Sequence, residues 1–243
     1  MKRYPITCKY FSEDAILIEW PDIISKDILR DIITYKALLE TKLHASLEFV
    51  PAYNSLTIIS PNPKLEFNTL KKELIALYQE KRNTSSIAQV CWELPVCYDL
   101  EFGIDIEEVA AKLKLTIAEL IEAHTSNEYT VYGIGFLPGF MYLGGLPEYM
   151  ETKRKGIPRL HVSKGSVGLA GKQTGIYPQD SPGGWNIIGN CPIPIFDVNA
   201  KEPCFVSVGD KIIFKSITSA EYKLHKIEGE VGIYKPKRIR LNA

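Results

Sequence analysis

Glycine and proline are crowded into one part of the chain, and this crowding constrains the fold more than any other sequence feature. Of the 17 glycines and 15 prolines in the 243 residues, 21 fall within residues 133–203. Glycine allows positive φ and close backbone approach, whereas proline fixes φ and lacks an N–H donor. A segment so rich in both cannot form long helices, so we expect short strands joined by shaped loops there.

Residues 1–94 show a different pattern, in which strand-like and helix-like segments alternate. Apolar residues recur at helical spacing over 26–43, after the possible N-cap Ser25, and over 66–82. From residue 15 onward the order is β-α-β-β-α-β, which is the ferredoxin-like pattern and predicts a first domain over residues 1–94. The predicted strands are Tyr4–Phe11, Ala15–Trp20, Ser46–Pro51, Leu56–Ser60 and Ile87–Leu94.

Residues 95–243 are predicted to form a second, strand-rich domain with a short helical lead-in. Helices are predicted over Ile106–Leu113 and Thr116–His124, where Thr116 and Glu119 have the spacing of a capping box. Several short strands separated by turns predict a β-barrel or a β-sandwich, so the whole chain is expected to be of the α+β class. The strand-like segments are 130–136, 166–171, 185–190, 204–208 and 211–217.

The balance of charged and apolar residues excludes several classes of protein. A content of 45% hydrophobic residues excludes a disordered chain, and 29 basic against 29 acidic side chains argue against a nucleic-acid binder. The sequence has neither an apolar run near the ~20 residues of a membrane helix nor a signal peptide. The five cysteines form no CxxC pair, which predicts reduced thiols rather than a zinc site. We therefore expect a cytoplasmic protein without a metal site, whose partners include neither nucleic acid nor membrane.

The glycine-rich loops between residues 129 and 190 are the candidate ligand site. Small residues would leave backbone N–H groups exposed between polar side chains, which suits a small polar or anionic ligand. The turns of a barrel also need many glycines, and the residues alone leave both interpretations open. Two nucleotide motifs are excluded. A P-loop ending at Gly171 and Lys172 would need glycine where Ser166 stands and a hydroxyl residue where Gln173 stands, and the glycine spacing is not GxGxxG.

Four side chains in or near these loops carry chemistry of their own. His124 ends a predicted helix and is either an acid–base group or a histidine that pairs with the last helix carbonyls. Arg159 is either a clamp for a carboxylate or phosphate group or half of a surface ion pair. Ser166 lies in Gly-Ser-Val-Gly and not in the GxSxG motif of hydrolases. A serine beside glycine is typical of a turn. Tyr177 either walls a pocket or fills the core.

Three long motifs carry a family resemblance. They are GFLPGFMYLGGLP at 135–147, GSVGLAGKQTGIYPQDSPGGWNIIG at 165–189 and VGDKIIF at 208–214. In this order they resemble the family of the 5-oxoprolinase B subunit, which is also called KipI or allophanate hydrolase subunit 1. The resemblance implies a ferredoxin-like N-terminal domain, here over residues 1–94, followed by a cyclophilin-like β-barrel domain, here over residues 95–243.

The resemblance implies an enzyme subunit that is inactive by itself. Such a protein is the small subunit of an ATP-dependent 5-oxoprolinase, which converts 5-oxoproline, ATP and water into glutamate, ADP and phosphate. It would act with a larger partner of the KipA type (the C subunit of such enzymes) and with a third subunit, and ATP with Mg²⁺ would bind together with the partner. The main alternative is a KipI-like inhibitor of a histidine kinase, and a carboxyltransferase role with a biotinylated protein is a third hypothesis.

On the enzymatic hypothesis, the residues of the glycine-rich loops receive roles. The backbone amides around residues 165–175 would stabilise a developing oxyanion or phosphate, and Arg159 would hold the substrate carboxylate. Asn190 stands where the family commonly has arginine, which removes one contact to an anion. The expected catalytic side chains are His124, Gln173 and Tyr177. The expected substrate-binding residues are Arg159, Ser166, Gly171, Thr174, Gly175, Gly183 and Gly184.

Overall fold

The computed structural model describes residues 3–43, 46–61, 66–80 and 90–240. Backbone contacts divide the chain into two compact units, residues 1–88 and residues 89–243. The predicted domain boundary after residue 94 lies inside Val90–Val96, a strand of the second unit. Within the described residues, no helix has the length and apolar character needed to cross a membrane.

The described residues of the first unit form one antiparallel sheet and two helices. Ser25 caps the first helix by accepting a hydrogen bond from the backbone N–H of Asp27, as its position predicted. The sheet order is β1-β2-β4-β3. The elements are β1 (Thr7–Ser12), β2 (Ala15–Glu19), α1 (Lys26–Lys42), β3 (Glu48–Ala52), β4 (Ser55–Ile59) and α2 (Phe67–Gln79).

The strand predicted to close the ferredoxin-like sheet belongs elsewhere. The prediction gave the fourth position to Ile87–Leu94, but β5 (Val90–Val96) pairs only with strands of the second unit, and residues 87–89 lie outside the described residues. Strand β1 instead pairs with β2 through a tight turn. The β1–β2 hairpin closes a short loop, whereas the predicted pairing of Ile87–Leu94 with this sheet would close a long loop that contains α2. The shorter loop costs less conformational entropy to close. The ferredoxin-like arrangement is therefore not confirmed.

The second unit is organised around one curled sheet of eight strands, in the order β12-β9-β10-β7-β6-β13-β5-β14. Only β5 and β13 run parallel. Cys97 and Asn190 exchange two backbone hydrogen bonds of 2.9 Å, so the chain just after β5 meets the far strand of the sheet order. Beyond β5, the elements are α3 (Ile106–Leu113), α4 (Ile117–Thr125), β6 (Glu128–Ile134), β7 (Met141–Gly144), β8 (Arg159–Val162), β9 (Ser166–Ala170), β10 (Gln173–Ile176), β11 (Ser181–Gly183), β12 (Asn186–Asn190), β13 (Lys211–Ser216), α5 (Ser219–Glu230) and β14 (Lys237–Arg240).

The glycine-rich part of the chain folds as its composition predicted, into short strands. Helices α3 and α4 lie where their periodicity placed them, and Thr116 and Glu119 form the predicted capping box. The strand predicted over 204–208 is wrong, because these residues form turns and irregular backbone. Helix α5 and strand β14 were not predicted. The apolar core of this unit lies between the curled sheet and helices α3 and α4.

Candidate functional site

His124 is buried in the core of the second unit, with 0% of its surface exposed. Its Nδ1 lies 2.7 Å from the Tyr98 hydroxyl, its Nε2 lies 2.9 Å from Thr174 Oγ1, and its ring stacks on Phe214. Burial lowers the pKa of His124 to about 3, so the imidazole is neutral at pH 7. One ring nitrogen accepts and the other donates, which satisfies both. The structure thus joins the predicted residues His124 and Thr174, but inside the core rather than in a cleft.

Several glycines of the candidate loops make room for aromatic rings. A Cβ on Gly183 would lie 2.3 Å from the Tyr177 hydroxyl, and a Cβ on Gly175 would lie 3.1 Å from the Trp185 ring. Tyr177 and Trp185 pack edge-to-face on Phe140, at ring-centroid distances of 5.2 and 5.4 Å. Of the two interpretations of these glycines, packing therefore accounts for Gly175 and Gly183, and Tyr177 fills core space.

Two of the backbone amides that were expected to bind an anion already have partners within the protein. Gly165 donates its N–H to the Tyr177 carbonyl at 2.7 Å, and Gly171 donates to the Thr152 carbonyl at the same distance. Gln173 sits in β10 opposite Ala170 of β9 and Gly144 of β7. An oxyanion held by amides of residues 165–175 would have to replace protein hydrogen bonds, which lowers the gain from binding it.

Ser166 and Asn190 lie together at the other end of β9. Ser166 is buried, and its carbonyl accepts from the Tyr177 N–H at 2.9 Å. Asn190, at the position where arginine is common, pairs with Ser166 across the sheet and accepts a hydrogen bond from the Tyr222 hydroxyl at 2.9 Å. Asn190 therefore has a hydrogen-bond partner within the protein.

Arg159 forms an ion pair with a buried carboxylate. Its Nη2 lies 2.5 Å from Asp105 Oδ1, Lys155 Nζ lies 2.8 Å from the same oxygen, and the Ile187 N–H donates to Asp105 Oδ2 at 2.7 Å. Burial by itself would raise the pKa of Asp105, but these three donors outweigh it and hold the pKa below its ordinary value. Of the two interpretations left open for Arg159, the structure shows an ion pair, with a buried rather than a surface partner.

A cleft of about 410 Å³ lies beside this ion pair, between helix α3 and the segment 151–156. We call it the α3 cleft, and its volume falls in the range of small-ligand sites. Lys112 and Lys155 both contact Glu108, and their hydrogen bonds, helped by their charges, lower the pKa of Glu108 to about 2. The lining residues are Glu108, Lys112, Leu113, Glu151, Thr152, Lys153, Arg154, Lys155, Gly156 and Asn186. Four cations thus face two carboxylates in a chain of zero net charge.

Some of the predicted site residues border the α3 cleft. Gly184 accepts a hydrogen bond from the Lys155 N–H at 2.8 Å, Gly171 donates to Thr152, and Arg159 shares Asp105 with Lys155. The run from Lys153 to Lys155 was not predicted as part of the site, although three consecutive cations in a neutral chain could have indicated an anion site. No pattern in the sequence marked Asp105 as buried.

Comparison with known proteins places the chain in a family. Residues 6–206 match the family described as "Carboxyltransferase domain, subdomain C and D". The chain is 33% identical to the 5-oxoprolinase B subunit of Bacillus subtilis, over 93% of this chain and 98% of that protein. Among solved structures, TTHA0988 is 31% identical with a TM-score of 0.73 over 84% of this chain.

Two of the matching solved proteins are much longer than this chain. The match covers 40% of TTHA0988 and 24% of the Kluyveromyces lactis urea carboxylase. The urea carboxylase is only 18% identical, with a TM-score of 0.78 over 96% of this chain, and so supports the fold alone. The long motifs, the curled sheet and these matches agree: the chain belongs to the carboxyltransferase-domain family, subdomains C and D, together with the proteins named as the B subunit of 5-oxoprolinase.

Proposed function

We propose that the chain is the small subunit of an ATP-dependent 5-oxoprolinase, which converts 5-oxoproline, ATP and water into glutamate, ADP and phosphate. The observation that carries this proposal is the match to the 5-oxoprolinase B subunit along nearly the full length of both chains. The proposed partners are a larger subunit of the KipA type and a third subunit. ATP with Mg²⁺ is proposed to bind in the assembled enzyme.

The need for a partner subunit is supported by what the second unit offers on its own. The sequence has no complete P-loop or dinucleotide motif, and the amides of Gly165 and Gly171 are already hydrogen-bonded. His124, the expected acid–base group, is buried and neutral. Activating an unreactive lactam carbonyl needs charge stabilisation and proton transfer at one place. We propose that this place is completed by groups from the larger partner.

The chain's own contribution is proposed to be binding and orientation of the anionic substrates. 5-Oxoproline carries a carboxylate and ATP carries a triphosphate, and the α3 cleft presents a surplus of cations. Gln173 stays a proposed orienting side chain, half-buried in β10.

The experiment that tests this function uses the assembled complex. This chain, its large-subunit homologue and the third subunit are co-expressed and purified together, and release of ADP and glutamate is measured with and without 5-oxoproline. Turnover that needs all components supports the proposal. A stable complex without 5-oxoproline-dependent turnover would contradict it. In the active complex, Gln173→Ala is expected to slow turnover while the complex stays intact, and unchanged turnover would remove Gln173 from the proposed site.

Carboxyl transfer is a second candidate, favoured by the description of the matching family. In that case the complex would move a carboxyl group between a biotinylated carrier and an acceptor. Transfer of labelled carboxylate from a carboxybiotinyl carrier protein, with no glutamate formed from 5-oxoproline, would support this second function over the first.

The kinase-inhibitor hypothesis makes a separate prediction. A KipI-like chain would act without partner subunits, by stoichiometric binding to a histidine kinase. Titration of the purified chain into an autophosphorylating kinase would then stop phosphorylation at about one chain per kinase. Phosphorylation that continues at a large excess of the chain would contradict the hypothesis for that kinase.

A further inference from the structure

The charges around the α3 cleft are unevenly neutralised. Glu108 contacts both Lys112 and Lys155, at 2.5 and 2.7 Å, and Lys155 also contacts Asp105. Within the part of the chain that the structure describes, neither Lys153 nor Arg154 forms an ion pair, although both line the cleft. Glu151 also lines the cleft, but its ion pair is with Lys172, so the charges of Lys153 and Arg154 have no direct carboxylate partner among the described residues.

The backbone beneath these two cations is fixed at three points. The Thr152 carbonyl accepts from Gly171, the Lys153 carbonyl accepts from Asn186 Nδ2 at 2.9 Å, and the Lys155 N–H donates to Gly184. The segment carries no regular secondary structure of its own beyond the single bridge at Thr152. Strands β9–β12 and the adjoining loops therefore hold the segment in its shape. Because the segment is already ordered, binding a ligand costs less conformational entropy.

The wall behind the segment is held by the buried ion pair. Asp105 fixes both Lys155 and Arg159, and Ile187 of β12 fixes Asp105 in turn. These two cations are neutralised in part by Asp105, so they define the wall. Lys153 and Arg154 remain available to a ligand.

We propose that the α3 cleft is an anion-binding site in which Arg154 and Lys153 bind a phosphate or carboxylate group. The guanidinium of Arg154 can donate two parallel hydrogen bonds to either group, and Lys153 adds a second charge. For the identity of the ligand, this inference rests on the proposed function, because ATP and 5-oxoproline both carry such groups. The anion would then be bound by side-chain cations rather than by the amides of Gly165 and Gly171, which are already hydrogen-bonded within the protein.

Neighbouring glycines link the segment that carries Arg154 to Tyr177: Lys155 donates its N–H to Gly184, and a Cβ on the adjacent Gly183 would meet the Tyr177 hydroxyl. Burial raises the pKa of the Tyr177 phenol, while the Trp185 backbone N–H and the charges of Arg154 and Arg159 oppose the rise.

Calorimetric titration of the purified full chain tests the inference. The probes are tripolyphosphate and 5-oxoproline, each titrated at low and at physiological salt. Arg154→Gln is compared with Arg30→Gln, which removes an exposed arginine from helix α1 in the first unit. We expect Arg154→Gln to weaken binding about tenfold or more and Arg30→Gln to leave it unchanged. Added salt should weaken binding to the original chain.

The two probes separate the possible sources of the anion. Binding of tripolyphosphate alone assigns the cleft to the phosphates of a nucleotide, and binding of 5-oxoproline assigns it to the substrate carboxylate. Binding of neither probe, or equal binding by Arg154→Gln and the original chain, would overturn the anion site.

Turnover of the assembled complex separates this inference from the proposed function. A complex that cleaves 5-oxoproline equally well with Arg154→Gln retains the function and overturns the site. A chain that binds a probe through Arg154 in a complex without 5-oxoproline turnover retains the site and overturns the function.

Discussion

His124 shows how the surroundings of one side chain decide its chemistry. From its position at the end of α4, an acid–base role and a helix-end role were both open. The structure places the ring between Tyr98, Thr174 and Phe214, with no surface exposed. A neutral histidine fits this site, whereas a charged one would be buried without a carboxylate beside it.

His124 also gives the fold a pH dependence. The pKa is about 3 in the folded chain, against about 6.5 in the unfolded chain. The unfolded chain therefore takes up a proton as the pH falls below about 6.5, and the folded chain does not until about pH 3. Stability from this residue is complete above that window and falls by about 1.4 kcal/mol per pH unit within it.

Urea unfolding of the original chain and of His124→Gln, between pH 7 and pH 5, measures this dependence. We expect the variant to be less stable at pH 7 but to lose less stability on acidification, because it has no proton to take up at this position. Parallel stability curves for the two chains would show that His124 is not the titrating group.

Gly183 tests whether the loop glycines serve packing. A Cβ at Gly183 would meet the Tyr177 hydroxyl at 2.3 Å, whereas a Cβ at Gly184 would meet only atoms at 3.7 Å or beyond. We expect Gly183→Ala to lower the free energy of unfolding by about 1–3 kcal/mol, through overpacking, and Gly184→Ala to have little effect. Thermal unfolding of the two variants gives the comparison, and equal midpoints would argue against a packing role.

At the scale of elements, Asp105 links helix α3 to strand β12 and to strand β8. It lies just before α3, its carboxylate accepts from Ile187 of β12, and Arg159 opens β8. Because the pKa of Asp105 is lowered, its contribution to stability is present above the ordinary carboxyl pKa and is lost as the pH falls below it.

Removing the charge of Asp105 should loosen this link. Asp105→Asn keeps the size of the side chain but removes the carboxylate from Arg159 and leaves Lys155 with Glu108 alone. We expect a loss of about 1.5–3 kcal/mol in the free energy of unfolding at pH 7. The exposed Asp22→Asn is the matched control and should change little. A loss of equal size in both variants would contradict the special role of Asp105.

Elements defined by local patterns could be predicted, and those defined by distant pairing could not. Helices α1 and α4 carry local signals, which are apolar spacing in α1 and side-chain caps at the start of both. Strand β5 pairs with β13, which lies far along the chain, and nothing in the composition of β5 indicates this partner. Helix α5 was not predicted, although Thr218 and Glu221 form a capping box at its start; its apolar residues Leu224 and Ile227 are exposed.

Local composition indicated one part of the candidate site, and the fold assembles the rest. Loop composition marked the region around Gly171 and Gly184, and both residues are hydrogen-bonded to the segment that lines the cleft. The cations of the cleft come from α3 and from the segment 151–156, and only the fold brings these together. Whether an arginine such as Arg159 is free or paired depends on a buried carboxylate that the sequence does not reveal.

At the scale of the whole molecule, the relatives of this chain differ greatly in length. The chain spans nearly all of the Bacillus subtilis relative but well under half of TTHA0988. The same fold thus occurs both as a separate chain and within a longer one. This agrees with the proposal that the α3 cleft works beside another subunit.

The most direct test of the proposed function is the ratio of products made by the assembled complex. Glutamate and ADP are measured together after addition of 5-oxoproline and ATP, once with this chain and once without it. The proposed reaction predicts one glutamate for each 5-oxoproline-dependent ADP, and no glutamate when this chain is omitted. Glutamate formed at the same rate without this chain, or ADP release that does not respond to 5-oxoproline, would contradict it.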